Sequence, residues 1–243
     1  MSGQRKDIHN SNIPVLCEAC EARHKGVCGS LSADQLSYLS KNSVRKSVEA
    51  GVELMSDSEN VSSYNNILSG VVKLTKMLPD GRQQIVGLQF APDFLGRPFR
   101  ASSQTTAEAT TDVKLCSFPR SIVDKMIRET PELEHKLHEQ ALAELDEARE
   151  WMLTLGRKTA AEKVANFLYM IATHVEPGAG EDEELTFDLP LTRADIADFL
   201  GLTIETVSRQ LTKLRKDGVI QIVNNRHITV PDIERLAWRA QVD

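Results

Sequence analysis

The sequence predicts an α+β chain: an N-terminal antiparallel β-roll, a long dimerisation-type helix, and a C-terminal winged helix-turn-helix domain. Three observations predict it. Residues 31–118 are short apolar runs punctuated by Gly51, Gly70, Gly87 and Gly96, the rhythm of a small antiparallel barrel or roll. From Pro119 onward the apolar spacing lengthens to that of helices, with residues three and four apart falling on one face. After Pro190 two short amphipathic segments meet across a single glycine, Gly201, as in a helix-turn-helix.

The 243 residues, 41% hydrophobic and 26% charged, suffice for two domains that each bury a core. No run of 18 apolar residues occurs, so no membrane span is expected. The opening Met1-Ser2-Gly3-Gln4-Arg5-Lys6-Asp7 has no apolar stretch after its charges and does not read as a signal peptide. A cytoplasmic protein is expected, where thiols stay reduced. Its four cysteines are then candidates for metal, cluster or redox chemistry rather than a disulfide framework. The acidity behind the net charge of −6 lies in the first 189 residues, because from Pro190 onward 8 Lys/Arg stand against 7 Asp/Glu, 8 − 7 = +1. A local basic patch is all that nucleic-acid binding needs. No nucleophile elbow, zinc-protease motif or P-loop is present, so an enzyme is not expected.

Taken in order, residues 1–30 read as a polar, irregular cysteine-rich segment. Residues 31–130 form the roll, with a short helical stripe near Ala33–Leu39 and a hairpin whose arms, Ile67 to Met77 and Gln84 to Phe90, flank Asp80-Gly81. Such a dipeptide favours tight β-turns. Pro119 opens a short helix reaching about Glu129, since proline suits a helix start. Residues 131–157 form the long helix. Its apolar positions Leu137, Ala141, Leu145, Ala148, Met152 and Leu155 are spaced 4, 4, 3, 4 and 3, close to a heptad seam for a homodimer. Residues 158–243 form the last domain, after a hinge near Gly156–Lys158. It opens with an amphipathic helix from Lys158 to Val175 and a flexible acidic stretch from Pro177 to Glu184.

The strongest local signal runs from Leu191 to Leu214. Thr192 caps one helix with Asp195 as reciprocal partner, and Thr203 caps a second, both suited to bind free backbone amides. Ile196, Ala197 and Leu200 line the first inner face; Val207, Leu211 and Leu214 line the second. On the outer face Glu205, Ser208 and Arg209 project together. Arginine can read guanine, glutamate can accept from cytosine, and serine can bond several base edges. Thr192, Thr203, Lys213, Arg215 and Lys216 are candidate phosphate contacts, of the residue types that position a protein on double-stranded DNA. Gly218 ends the helix, and Val219–Val223, Asn224-Asn225 and His227–Val230 form a hairpin wing.

Cys17, Cys20 and Cys28 cluster at spacings of two and seven intervening residues, and Cys116 follows 88 positions later in a strand-like run. Four thiolates can hold a cubane iron–sulfur cluster or structural zinc. Spacing alone does not choose, and His24 offers a fifth donor for zinc.

The reader pattern Glu205-x-x-Ser208-Arg209, with the order of cysteine segment, roll, long helix and winged helix, resembles the CRP/FNR family, in its FNR branch, over roughly residues 17–235. The resemblance implies a roll of the cyclic-nucleotide-binding type. It also implies an oxygen-labile [4Fe–4S] cluster on Cys17, Cys20, Cys28 and Cys116. It implies a homodimer reading a palindrome of TTGAT-type half-sites, Arg209 and Glu205 on the G·C pair and Ser208 on the adjoining A·T. RNA polymerase is the expected protein partner, through the hairpin Leu78-Pro79-Asp80-Gly81-Arg82. The chain departs from the family pattern in three places. The gap before Cys28 is wider than usual, as in regulators of photosynthetic and nitrogen-fixing bacteria; Arg82 stands where an acidic residue is common; and Ala148 stands at an acidic seam position. Cyclic nucleotide is not expected, because Gly96 is followed by Arg97-Pro98 rather than glutamate, and Arg100-Ala101-Ser102 echoes the phosphate clamp poorly. The competing expectations are a zinc or thiol-redox regulator of the same family, and a metal-binding enzyme or electron carrier.

Overall fold

The structure, a computed structural model, describes residues 13–175 and 184–242. The opening residues Met1 to Asp7 and residues 177–183 of the acidic stretch lie outside the described residues. The chain divides into two compact units, one of Met1–Leu78 with Val86–Asp146, the other of Pro79–Ile85 with Glu147–Asp243.

The first unit begins with two single-turn helices, α1 (Val15–Glu18) and α2 (Glu21–His24), and a 3-10 turn at Val27–Ser30. The expectation of an irregular segment is corrected here. One-turn helices are too short to display a period, and Ala22, Val27 and Cys28 anchor them by burial. Helix α3 (Ala33–Lys41) starts with a capping box of Ser32 and Gln35, which satisfies two otherwise free amides. Strands β1 (Val44–Val48), β2 (Glu53–Met55), β3 (Ser63–Ser69), β4 (Val72–Met77), β5 (Gln83–Gln89), β6 (Phe94–Leu95), β7 (Thr106–Ala109) and β8 (Val113–Pro119) follow. They form two four-stranded sheets, in the orders β1-β8-β3-β6 and β2-β7-β4-β5.

The expected hairpin arm from Ile67 to Met77 is two strands in different sheets, broken at Gly70. Gly70 has φ +90°, and a Cβ there would collide with the Asp112 carbonyl oxygen; only glycine fits both demands. Period-2 alternation then gives the first sheet two faces. Ile67 and Leu115 look into the core between the sheets, with Val72, Leu95, Ala107 and Val113. Tyr64 and Phe118, on the opposite face, join Val27, Cys28, Leu36, Leu39, Val123, Ile127 and Leu133 in a second core. That second core is built by α4 (Arg120–Glu129), the start of α5 (Pro131–Arg157), and the cysteine segment itself. The same face carries Cys28 and Cys116.

The second unit takes up the remainder of α5. Residues 141–150 of that helix are exposed at every position, so side-chain burial ties its middle to neither core. The division between units accordingly falls at Asp146/Glu147, inside the helix, rather than at the expected hinge near Gly156–Lys158. Helix α6 (Ala160–Val175) buries Val164, Phe167, Leu168 and Ile171. After β9 (Leu185–Asp188) come α7 (Arg193–Leu200), α8 (Ile204–Lys216), β10 (Gln221–Val223), β11 (His227–Val230) and α9 (Ile233–Ala240). The sheet order β10-β11-β9 adds a third strand to the expected wing. Trp151 stacks on Phe199 with ring centroids 4.4 Å apart, and Phe167 meets the same ring at 6.0 Å. These aromatics fix α7 against the end of α5 and α6 within the unit. Among the described residues no helix is long and apolar enough to cross a membrane.

Candidate functional site

Two sites emerge, one in each unit. In the first, β8 pairs with β1 and β3 so that Cys116 lies between Arg45 and Asn66. The short helical turns bring Cys17, Cys20 and Cys28 to the same face. All four thiols line one cavity of about 190 Å³, together with Ser40, Ser43, Arg45, Asn66 and Leu68. Cys28 is the most enclosed, at 9% exposure. Burial pushes its thiol up to about 12, with the neighbouring sulfurs adding to the rise and a hydrogen bond from Asn66 opposing it. Burial also raises Cys17 and Cys116; there the Arg45 charge and hydroxyls of Ser40 and Ser43 respectively act the other way. Arg45 donates to the Leu16 carbonyl as well, so one guanidinium ties the cysteine segment to the sheet edge.

The donor set fits a thiolate-ligated inorganic core. Four sulfurs surround a common space, two cations (Arg23 and Arg45) and two hydroxyls line it with them, and a buried amide aims at one sulfur. Among the described residues no three His, Cys, Asp or Glu side chains crowd together as a single metal ion would need. His24 does not join the thiols: its Nε2 bonds the Glu18 carbonyl, and it lies at a separate cleft with His135. Asn66, Arg45, Ser40 and Ser43 were missed from sequence. The signal for Asn66 was present, because Tyr64, Asn66 and Leu68 share a strand face and a polar residue interrupts an otherwise apolar series.

The second site is the helix-turn-helix. Thr192 accepts from the Asp195 amide, and Asp195 returns a bond to the Thr192 amide. Gly201 ends α7 at φ +61°, a left-handed conformation that glycine takes without strain. Thr203 caps α8 by accepting from the Thr206 amide. Val207, Leu211 and Leu214 are buried, which leaves Glu205, Ser208, Arg209, Lys213, Arg215 and Lys216 exposed on the outer side. A hydrogen bond from its own backbone amide holds the Glu205 carboxyl below the usual range, aided by the Thr203 hydroxyl. Asn224 and Asn225 have φ of +52° and +57°, both in the left-handed region that asparagine tolerates. Arg193 donates to the Asn225 carbonyl at 3.0 Å and ties the wing tip to the first helix of the motif.

The long helix supplies a further surface. Leu145 and Met152 are exposed by 44% and 72%, and Ala141 and Ala148 are exposed beside them. Leu142 and Leu153, not assigned to the seam from sequence, are also exposed, by 61% and 53%. Leu155 is half-buried. Leu137 is a correction: it packs with Cys28 and Phe118 in its own chain's core, and a side chain enclosed there has no surface for a partner.

A winged helix-turn-helix with a polar, charged outer face on its second helix, joined to a β-roll, defines a DNA-binding transcription regulator. Residues 162–238 match the Crp-like helix-turn-helix domain family, and residues 45–130 match the cyclic nucleotide-binding domain family. A Rhizobium leguminosarum bv. viciae protein named "Probable transcriptional activator" is 59% identical, over 97% of this chain and 98% of its own. The transcriptional activator protein FnrL of Cereibacter sphaeroides is 41% identical, over 93% and 92%. Among solved structures, FixK2 from Bradyrhizobium japonicum has a TM-score of 0.72 and 33% identity, covering 80% of this chain and 95% of FixK2. The chain belongs to the CRP/FNR family of transcription regulators. Like its relatives it is a regulator and not an enzyme.

Proposed function

We propose that this chain is an oxygen-responsive transcriptional activator of the cytoplasm. It binds a palindrome of TTGAT-type half-sites as a homodimer when Cys17, Cys20, Cys28 and Cys116 hold a [4Fe–4S] cluster. The observation that carries the reading is the meeting of all four cysteines at one cavity of about 190 Å³. Three come from a segment of single-turn helices and the fourth from the middle of a sheet. Relatives named FnrL and "Fumarate and nitrate reduction regulatory protein" support the same direction.

Bound there, the cluster would supply an oxygen-labile core that is lost or converted on exposure to air. The chain's own residues do the rest. Holding three cysteines to Cys116 orders the N-terminal segment against the core that also contains Leu133 and Leu137 of α5. Order at that end of the helix favours pairing of its exposed middle with a second copy. A twofold dimer presents two α8 helices about 34 Å apart, one turn of DNA. Arg209 and Glu205 then read the G·C pair and Ser208 the neighbouring A·T. Lys213, Arg215 and Lys216 meet phosphates, with Thr192 and Thr203. RNA polymerase is the partner in activation, with the tip Leu78 to Arg82 as the contact proposed for it. Cyclic nucleotide is not the effector in this reading, since Arg97 follows Gly96 where the ribose would need a carboxylate.

Anaerobic reconstitution with ferrous salt and sulfide tests the proposal. The expected product is brown, with iron and sulfide each near four per chain as a cubane requires, and Cys116→Ser abolishes uptake. Colourless protein that contains zinc would overturn it in favour of the zinc regulator.

A further inference from the structure

We propose that Asn66 is a positioning residue for the thiolate site: its side-chain amide donates to the Cys28 sulfur and tempers that sulfur's electron donation to the bound core. The inference rests on the cluster reading above. Asn66 lies in the centre of β3 and is 1% exposed. Its Nδ2 is 3.2 Å from the Cys28 Sγ, and its strand partner in register is Cys116. It therefore stands between two of the four sulfurs, one beside it in the sheet and one above the sheet.

Burying an amide is unfavourable unless both its ends are bonded. Here the Oδ1 atom is buried and has no hydrogen-bond partner among the described residues. Among the described residues the bond the side chain makes inside the cavity is to sulfur. A neutral thiol accepts weakly, whereas an anionic sulfur makes a shorter, stronger, charge-assisted bond. The amide is thus matched to a ligating thiolate and poorly matched to a free thiol. An aliphatic residue would fill the position equally well if packing were the whole requirement, as Ile67 and Leu68 do next to it. Hydrogen bonds to ligating sulfurs withdraw charge from iron and raise the reduction potential.

The test uses the full-length protein reconstituted anaerobically with ferrous salt and sulfide. Wild type is labelled with ¹⁵N only in asparagine side chains, reduced, and measured by pulsed electron paramagnetic resonance. Among the described residues Asn66 is the only asparagine lining the cavity. We expect a ¹⁵N coupling to the reduced cluster in wild type. In Asn66→Leu the coupling disappears and the midpoint potential moves to a more negative value, with iron and sulfide content retained. Absence of coupling in a fully loaded wild type overturns the role of Asn66 while leaving the cluster reading intact. An unchanged potential in loaded Asn66→Leu does the same. A wild type that takes up no cluster overturns both. Should Asn66→Leu fail to fold or load, the wild-type coupling decides alone.

Discussion

Replacing Leu145 with glutamate isolates the pairing surface of the long helix from everything else. Leu145 is 44% exposed in the single chain and lies in a stretch where every side chain from 141 to 150 is exposed. The monomer therefore loses little on substitution, and glutamate is a good helix former. The dimer loses twice, because a twofold seam uses each position in both copies. Finishing the burial of a half-exposed leucine is worth about half the 1.5–3 kcal/mol of a full burial, roughly 1 kcal/mol per chain. Two chains lose about 2 kcal/mol, a dissociation constant roughly 30-fold weaker. Two carboxylates facing one another add repulsion, so that figure is a floor. Sedimentation equilibrium on the cluster-loaded protein measures it, with circular dichroism as the check on helix content. A dissociation constant within twofold of wild type, in a folded variant, would refute pairing through this face.

Further outcomes follow from the two sites. Arg209→Ala should lower affinity for the cognate half-site about 10- to 100-fold and flatten discrimination at the G·C pair, the usual worth of a bidentate contact being about 1–3 kcal/mol; competition binding with base-substituted operators measures both. Lys213→Ala should weaken all DNA alike and reduce the salt slope of binding by about one, read from titrations across ionic strength. The pH dependence of the metal-free protein has a definite sign. Cys28 holds its proton more tightly folded, at about 12, than at the ordinary thiol value of 9.0. Its stabilising contribution is complete below pH 9.0 and is lost as pH rises toward 12, because the unfolded chain releases that proton first. The melting temperature should fall across this window, and less steeply in Cys28→Ala.

The helix-turn-helix was legible in the sequence because its rules are local. Thr192 with Asp195, Gly201, and the buried triad Val207, Leu211, Leu214 each act within a few residues, and the structure places them as expected. The roll was legible in class but not in connectivity. Gly70 divides what reads as one apolar run into strands of two sheets, and the reason is a close approach to Asp112, 42 positions away (112 − 70 = 42). Leu137 fitted the seam spacing, yet the core that claims it contains Val27, Cys28 and Phe118, contacts that no periodicity reports. The thiol set was legible as a set. What surrounds it was not, since Arg45 and Asn66 face Cys116 only through sheet register. The division inside α5 was missed for a related reason: a continuous helix shows no break where its flanking contacts change.

The central claim is that thiolate ligation at Cys17, Cys20, Cys28 and Cys116 governs DNA occupancy. The most direct measurement follows operator binding of one anaerobically reconstituted sample before and after exposure to air, alongside its visible absorption. The account predicts that colour and occupancy of the palindrome fall together, and that Cys28→Ser starts where the air-exposed sample ends. Undiminished occupancy after the colour has gone would contradict it.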